Sequence, residues 1–363
     1  MTKTPKKNGN GVVSLNLGRR SLLRGGLAAS AMIAAPAIVR AQNRGRVFIR
    51  TSGGSYEEAL KEGTWNAFTT KTGIEVVPVP ANTGKLLAMV EAGGDDLDLV
   101  SANGIATRTL QTKGAFEELS KFKFELTDLK DIDSVTPFSV GYNAFAEALV
   151  YNTEVFAKDH PSNWKEFWDQ SKFPGKRMLQ DAKAIAPSLE FALLSDGVAM
   201  DKLYPLDVDR AFKQLKVIKP NIVKFYDTAA LGAQLLAEKT VVAGSLWTNR
   251  ILPLRDKGVP IAIEWNQAMR STEYLSVLKN AKNRDNAFRL LDFSSTPEAQ
   301  ARSLPRIGLS PTNAKAFNFI DAKVAADLPT GPKNKPLGFV SNDEWWVNNR
   351  AKVSERWEEF LLG

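Results

Sequence analysis

The chain has 363 residues, with 48 Lys+Arg, 40 Asp+Glu, one His and no Cys; that length argues for two domains of roughly 150 residues each, and 44% hydrophobic with 24% charged residues argues against disorder or a multi-span membrane protein. The net charge of +8 is local, because Lys3, Lys6, Lys7, Arg19, Arg20, Arg24 and Arg40 stand in residues 1–41 with no acid, leaving 41 basic against 40 acidic residues in the remaining 322; a nearly neutral body carries no nucleic-acid footprint. Without Cys there are no disulfides, thiolate metal sites or Cys nucleophiles, and His160 alone cannot build a poly-His metal site, so neither a metal nor a cofactor is expected.

The first element is an address. Residues 1–24 are polar and basic and end in Arg19-Arg20-Ser21-Leu22-Leu23-Arg24; Gly25 to Val39 is an apolar run, and Val39-Arg40-Ala41 offers a small-residue exit before Gln42. Fifteen residues rise only about 22 Å as a helix, short of a ~30 Å hydrocarbon core. The paired arginines, followed by two leucines and a base, match a twin-arginine (Tat) export signal better than an ordinary secretory one. A protein exported to the periplasm is expected.

Arg46–Arg50 reads as a short buried strand, followed by the turn Thr51-Ser52-Gly53-Gly54-Ser55-Tyr56. A helix is predicted next, with Ser55 as N-cap, Glu57 and Glu58 in its first turn, and Ala59, Trp65 and Phe68 on its inner face. Gly73 ends it. Ile74–Val79 is the next strand, Thr83–Glu91 a helix, Leu97–Ser101 a strand and Ile105–Lys113 a helix. This alternation predicts a parallel sheet covered by helices. Ser139–Tyr151 is a long extended segment. Helices are predicted at Pro187–Leu194, Asp207–Ile218, Gly232–Glu238, Asp285–Phe293 and Asp343–Leu361, with strands at Val223–Tyr226, Val241–Trp247, Ile261–Trp265 and Tyr274–Val277. No long linker separates two domain-sized halves, so the chain is expected to pass between lobes more than once.

Several motifs fail on inspection. Gly84-Lys85 is followed by Leu86 rather than Ser or Thr, which defeats a P-loop reading. Ser162-Asn-Trp-Lys165 and Lys71-Thr72-Gly73 stand in the wrong order for a penicillin-recognising enzyme. Asp95, Asp96 and Asp98 lack calcium-loop spacing and read as a solvated loop face; His160, in Asp159-His160-Pro161, reads as a surface loop. Two features survive. The turn at Gly53-Gly54-Ser55-Tyr56 offers backbone N–H groups and a helix N-terminus to a ligand, and Trp247, at the end of a strand, can cover an aliphatic or cationic ligand through burial and cation–π attraction.

The segments Asn163-Trp164-Lys-Glu-Phe167, Lys172-Phe173-Pro174-Gly175-Lys176, Leu189–Leu194 into Asp196-Gly197, Leu203–Phe212 and Gly244-Ser-Leu-Trp247-Thr-Asn249-Arg250 occur in an order that resembles the spermidine/putrescine-binding family of ABC-importer solute-binding proteins. The resemblance runs from about residue 46 to 360. It implies a periplasmic-binding-protein type II fold: two α/β lobes, 43–147 plus 273–318 and 148–272 plus 319–363, with crossings near Phe145–Leu149, Ser271–Glu273 and Phe319–Ala322 and one solute held in the cleft. It further implies a monomer that hands solute to a membrane permease without bond chemistry.

Carried over by position, the resemblance makes Tyr56 a cleft tyrosine, Trp247 the stacking tryptophan, Glu273 the ammonium partner and Asn103 the replacement of a serine. Two acids that the family uses near residues 184–187 are absent, where Ala184 and Pro187 stand, and Leu309, Ile105 and Trp346 replace other polar positions. One amine end is therefore kept and the second lost. Arg250, Arg270 and Lys183 are the bases near the cleft, and Arg suits bidentate carboxylate binding. The expected ligand is a small solute with one amine, an ω-amino acid or other zwitterion. The expected site is Gly53, Gly54, Ser55, Tyr56, Asn103, Trp247, Asn249, Arg250, Arg270 and Glu273. An oxyanion bound by the Gly53 and Gly54 amides is the alternative; an exported enzyme is the reading the residue inventory favours least.

Overall fold

A computed structural model describes residues 45–93 and 96–363. The expected export signal and Asp95 lie outside the described residues. Ten strands form one sheet: β1 (Arg46–Thr51), β2 (Glu75–Pro80), β3 (Leu99–Asn103), β4 (Val140–Asn152), β5 (Arg177–Gln180), β6 (Ile222–Tyr226), β7 (Ala243–Trp247), β8 (Ile261–Val277), β9 (Ser310–Pro311) and β10 (Phe339–Val340). The order is β2-β1-β3-β8-β4-β7-β5-β6, with β10 beside β8 and β9 beside β4.

The expected parallel pattern holds at the two wings, where β1 pairs with β2 and β3, and β5 with β6 and β7. The centre differs. β8 runs antiparallel to β3 and β4, and β4 antiparallel to β7. These two long strands join the wings. The segments expected as separate strands at Ile261–Trp265 and Tyr274–Val277 are one strand of 17 residues, about 55 Å long at ~3.3 Å per residue. The polar stretch Asn266–Glu273 hides this continuity. Gln267 takes a positive φ of 62°, and the register between β4 and β8 shifts between Glu147 and Leu149. Both irregularities bend the strands where they pass from one wing to the other.

Each wing has its own core. One gathers Val47, Ile49, Trp65, Phe68, Phe288 and Leu291; the other gathers Trp164, Phe191, Leu193, Phe212, Trp357 and Phe360. Trp164 is fully buried and stacks on Phe191 with ring centroids 3.8 Å apart. Ala59, Trp65 and Phe68 face the interior as their helical spacing predicts, and Gly73 caps that helix with a φ of 72°.

Three local expectations need correction. Ser55 is not the N-cap: the helix Gly54–Leu60 starts two residues earlier than that cap implies, behind Gly53 at φ 75°. Two successive glycines at positive φ let the chain turn sharply from β1 into the helix. Asp98 is not on a solvated face. It is buried and accepts hydrogen bonds from the amides of Phe48 (2.9 Å) and Asn283 (2.8 Å) and from the Asn283 side chain (3.0 Å). His160 is half-buried rather than a free loop residue, stacked on Tyr151 at 4.2 Å with Nε2 3.1 Å from Glu264 Oε2.

Candidate functional site

A cleft of about 1080 Å³ opens where the segments that follow β1, β5, β6 and β7 meet residues within the long strands β4 and β8. Gly53, Gly54, Ser55, Tyr56, Trp247, Asn249, Arg250 and Glu273 line it. Asn103 and Arg270 do not. The Asn103 side chain turns away to cap the helix Gly104–Thr112, with Oδ1 accepting from the Ala106 amide at 3.0 Å. Arg270 donates to the Lys335 carbonyl at 2.7 Å, next to β10. It stands three residues before Glu273 on one strand, and an odd offset puts the two side chains on opposite faces.

The floor of the cleft is a polar network around Glu273, on β8 directly opposite Asn103 of β3. Ser101 donates to Glu273 Oε1 at 2.7 Å, and Asn143 Nδ2 donates to Oε2 at 3.1 Å. The Tyr56 hydroxyl lies 3.1 Å from Ser101 Oγ and 3.3 Å from Asn143 Nδ2. The carboxylate is thus held in one orientation. Each of its oxygens takes one donor, so lone pairs remain free for a cation. Burial and the neighbouring Glu273 charge push the Tyr56 hydroxyl well above its ordinary range, which keeps it neutral.

Arg50 lies beneath this network, buried, with Nε and Nη2 donating to the Ala81 carbonyl and Nη1 to the Ser101 carbonyl. Its burial lowers its pKa, and the attraction of Glu273 opposes that shift.

One wall is aromatic. Trp247, 7% exposed, ends β7 and packs edge-on against Phe145 of β4 at 5.0 Å. Chain departure from β7 into the helix Thr248–Asp256 then brings Asn249 and Arg250 to the cleft. Arg250 has no hydrogen bond or ion pair among the described residues. The same wing also brings Ala184 and Ile185, after β5, and Asp227 and Ala230, after β6, to the cleft, while Gly53, Tyr56 and the buried Leu309 line it from the other wing. Asp227 is exposed and likewise unpaired among the described residues.

Sequence reading missed Ser101, Asn143, Phe145 and Asp227. A signal for one was present: Asn143 is a lone amide in an apolar strand, fully buried, and such a group needs a partner. Trp346 stays out of the cleft and donates to Glu190 at 2.8 Å in the core. Among the described residues no group of three or more His, Asp or Glu could hold a metal ion, and no helix is long and apolar enough to cross a membrane.

A family model for bacterial extracellular solute-binding proteins matches residues 64–330. The chain belongs to this family. A solute-binding protein from Pseudomonas aeruginosa, the gamma-aminobutyric acid-binding protein, is 28% identical over 331 residues, covering 89% of this chain and 93% of that one. The spermidine/putrescine-binding periplasmic protein of Escherichia coli (strain K12) is 23% identical, with 84% and 88% covered. Among solved structures, an ABC transporter substrate-binding protein from Bradyrhizobium japonicum USDA 110 has a TM-score of 0.79 at 30% identity, with 87% of this chain and 99% of that one covered. A GABA receptor has a TM-score of 0.78 at 33% identity, with 87% and 97% covered. This solute-binding protein therefore has the two-lobed type II fold, and its role is that of the capture component of an ABC importer.

Proposed function

We propose that the protein captures a small solute with one primary ammonium group and one carboxylate, an ω-amino acid of the 4-aminobutyrate kind, and delivers it to a membrane permease. The observation that carries this reading is the pre-set carboxylate of Glu273 in the same cleft as the unpaired guanidinium of Arg250. Glu273 takes the ammonium, Trp247 and Tyr56 cover the methylene chain, and Arg250 takes the carboxylate in a bidentate fork. The names of the relatives add support, since two of them are described as binding GABA.

Asp227 supports a second reading. Its free carboxylate lines the same cleft and suits the second ammonium of a diamine such as putrescine. The oxyanion reading has less behind it: the Gly53 amide already donates to Thr51 Oγ1 at 2.7 Å, and the Glu273 charge repels an anion. Isothermal titration of protein starting at Gln42 with 4-aminobutyrate, 5-aminopentanoate, putrescine and phosphate decides among them. Binding of the amino acids at about 1 μM, or −8 kcal/mol, with putrescine at least tenfold weaker supports the first reading. The reverse order supports the second.

The finer points follow from the same role. Residues 1–41 act as a twin-arginine export signal, and replacing Arg19 and Arg20 with Lys holds the protein in the cytoplasm. The lobes are 43–147 plus 273–318 and 148–272 plus 319–363. The protein works as a monomer, without catalysis.

A further inference from the structure

Beneath the cleft wall lies a buried acid that solute capture by Glu273 and Arg250 does not use. Glu147, on β4, is fully buried. It pairs across the sheet with Trp247 of β7, the aromatic wall of the cleft. Its Oε1 accepts a hydrogen bond from Ser188 Oγ at 3.0 Å. Ser188 stands at the N-cap of the helix Leu189–Ser195, yet its hydroxyl makes no capping bond. It is committed to Glu147 instead, against the usual preference of a serine at that position.

Ser188 closes the segment 181–188, whose Ala184 and Ile185 line the cleft. The Asp181 amide donates to the Tyr226 carbonyl at 2.9 Å and Lys183 lies 3.6 Å from Glu358; nearer the helix, Gln180 Nε2 donates to the Ala186 carbonyl at 2.7 Å and Ser188 donates to Glu147. The groups that bear on Glu147 are the hydroxyls of Ser188, Ser245 and Tyr226 and the carboxyl of Glu190. None is a cation. Glu147 Oε2, Tyr226 Oη and Glu190 Oε2 are buried without a well-formed hydrogen bond, and Ser245 Oγ stands close enough to favour the Glu147 charge without forming one.

We infer that Glu147 is a positioning residue for solute capture: as a neutral acid it holds the wall segment 181–188 in place through Ser188, and solute affinity falls as it ionises. A carboxylate there has no counter-charge and faces a second acid, so its charged form demands water. Water reaches it when the segment lifts, and the wall and the back of Trp247 loosen together. Desolvation, set against the Ser245 and Ser188 hydroxyls, pushes the carboxyl up to about 7, so the change falls in a range where 4-aminobutyrate keeps both its charges.

The inference rests on the cleft being the solute site, and its test has one arm that needs no solute. The first arm titrates wild type, Glu147→Gln and Ser188→Ala with 4-aminobutyrate at pH 6.0 and 8.5. Wild type is expected to lose roughly fivefold in affinity between the two. Glu147→Gln, a permanently neutral isostere, is expected to match wild type at pH 6.0 and stay flat. Ser188→Ala is expected to bind more weakly at both. The second arm measures amide exchange of residues 181–188 in ligand-free protein, corrected for intrinsic rates. Protection is expected to fall with pH in wild type and not in Glu147→Gln. A pH dependence that survives in Glu147→Gln, or a wild type flat in exchange across the range, overturns the inference. If 4-aminobutyrate does not bind, the ligand reading fails and the exchange arm still decides this one.

Discussion

Replacing Glu273 by Gln separates the charge of the proposed ammonium site from its shape. The amide keeps one oxygen for the Ser101 hydroxyl, now 2.7 Å from Oε1. Its NH2 then faces Asn143 Nδ2, which at present donates to Oε2 at 3.1 Å. Two donors would collide, but Asn143 has a remedy: its Oδ1 is buried without a partner, and rotating the amide by half a turn presents that oxygen to the new NH2. The rotation costs the Asn143 donor to Tyr56 and turns both N–H groups of its NH2 to a buried position without a partner, offset in part by the new bond to the glutamine NH2, about 1–3 kcal/mol net. The folded protein therefore survives with a drop in melting temperature. The bound ammonium loses its counter-charge on the half-buried floor of the cleft, and truncating one partner of a desolvated pair costs about 2–5 kcal/mol. At about 3 kcal/mol the dissociation constant rises by roughly 150-fold. Isothermal titration with the best-binding solute measures this, and a melting curve on the same sample confirms folding. A variant that is folded and binds within threefold of wild type would refute the assignment of Glu273.

Arg250→Ala and Asp227→Asn form a crossed pair: the first weakens 4-aminobutyrate by about tenfold or more and spares putrescine if the zwitterion reading holds, the second does the opposite if the diamine reading holds, and both are read by the same titration. Gly104→Ala strains the contact between the helix Gly104–Thr112 and the C-terminal helix, because a Cβ would stand 1.8 Å from Asp343 Oδ2; a loss of about 1–3 kcal/mol is expected in urea melts, recovered in good part by adding Asp343→Ala. Ligand-free stability carries the mark of Glu147: its carboxyl moves from 4.5 to about 7 on folding, so the neutral form is favoured in the folded state. That contribution is full below about pH 4.5 and is lost as pH rises through 7, about 3 kcal/mol in all. Glu147→Gln is expected to gain on wild type by that amount between pH 4.5 and 8, and a constant gap between the two urea-melt stabilities would refute it.

The sequence showed the wings well and the centre poorly, for physical reasons. β1, β2 and β3 are short apolar runs bounded by turn residues, and the helices between them carry regular apolar spacing, so periodicity suffices. β8 is partly solvent-facing in its middle, where Asn266, Gln267, Arg270, Ser271 and Glu273 interrupt the apolar pattern and make one strand read as two. The helix Thr248–Asp256 contains Pro253. Proline removes the bond back to Asn249 and argues against a helix in sequence, although the short helix tolerates it beside the cleft. The cleft lining was legible where a residue type stands out from its strand, as with Trp247 and Glu273. Arg270 was placed by proximity in sequence, and the two-residue period of a strand alone turns it away from Glu273. The environment of His160 depends on Glu264, 104 residues on, and no local pattern announces such a pair.

The buried charge beneath the network bears on how many charges the proposed ligand carries. Among the described residues Arg50 is bonded to carbonyl oxygens and to no carboxylate; the carboxylate whose charge bears on it is that of Glu273. Before solute enters, the two side chains balance. A bound ammonium therefore adds one uncompensated positive charge to the floor, and at the short range of a partly dry cleft that excess is best met within the ligand itself. A solute whose far end is a carboxylate brings that compensation with it and directs it to Arg250, which has no other partner. A diamine brings a second excess charge toward Arg250 and has only Asp227 to meet it; Asp227 and Arg250 are both exposed, so screening weakens either pair alike and the charge count is what separates the two ligands. The arrangement around Arg50 thus favours a ligand with no net charge, and replacing Arg50 by Lys, which keeps the charge but loses the fork to Ala81 and Ser101, should loosen the site without changing that preference.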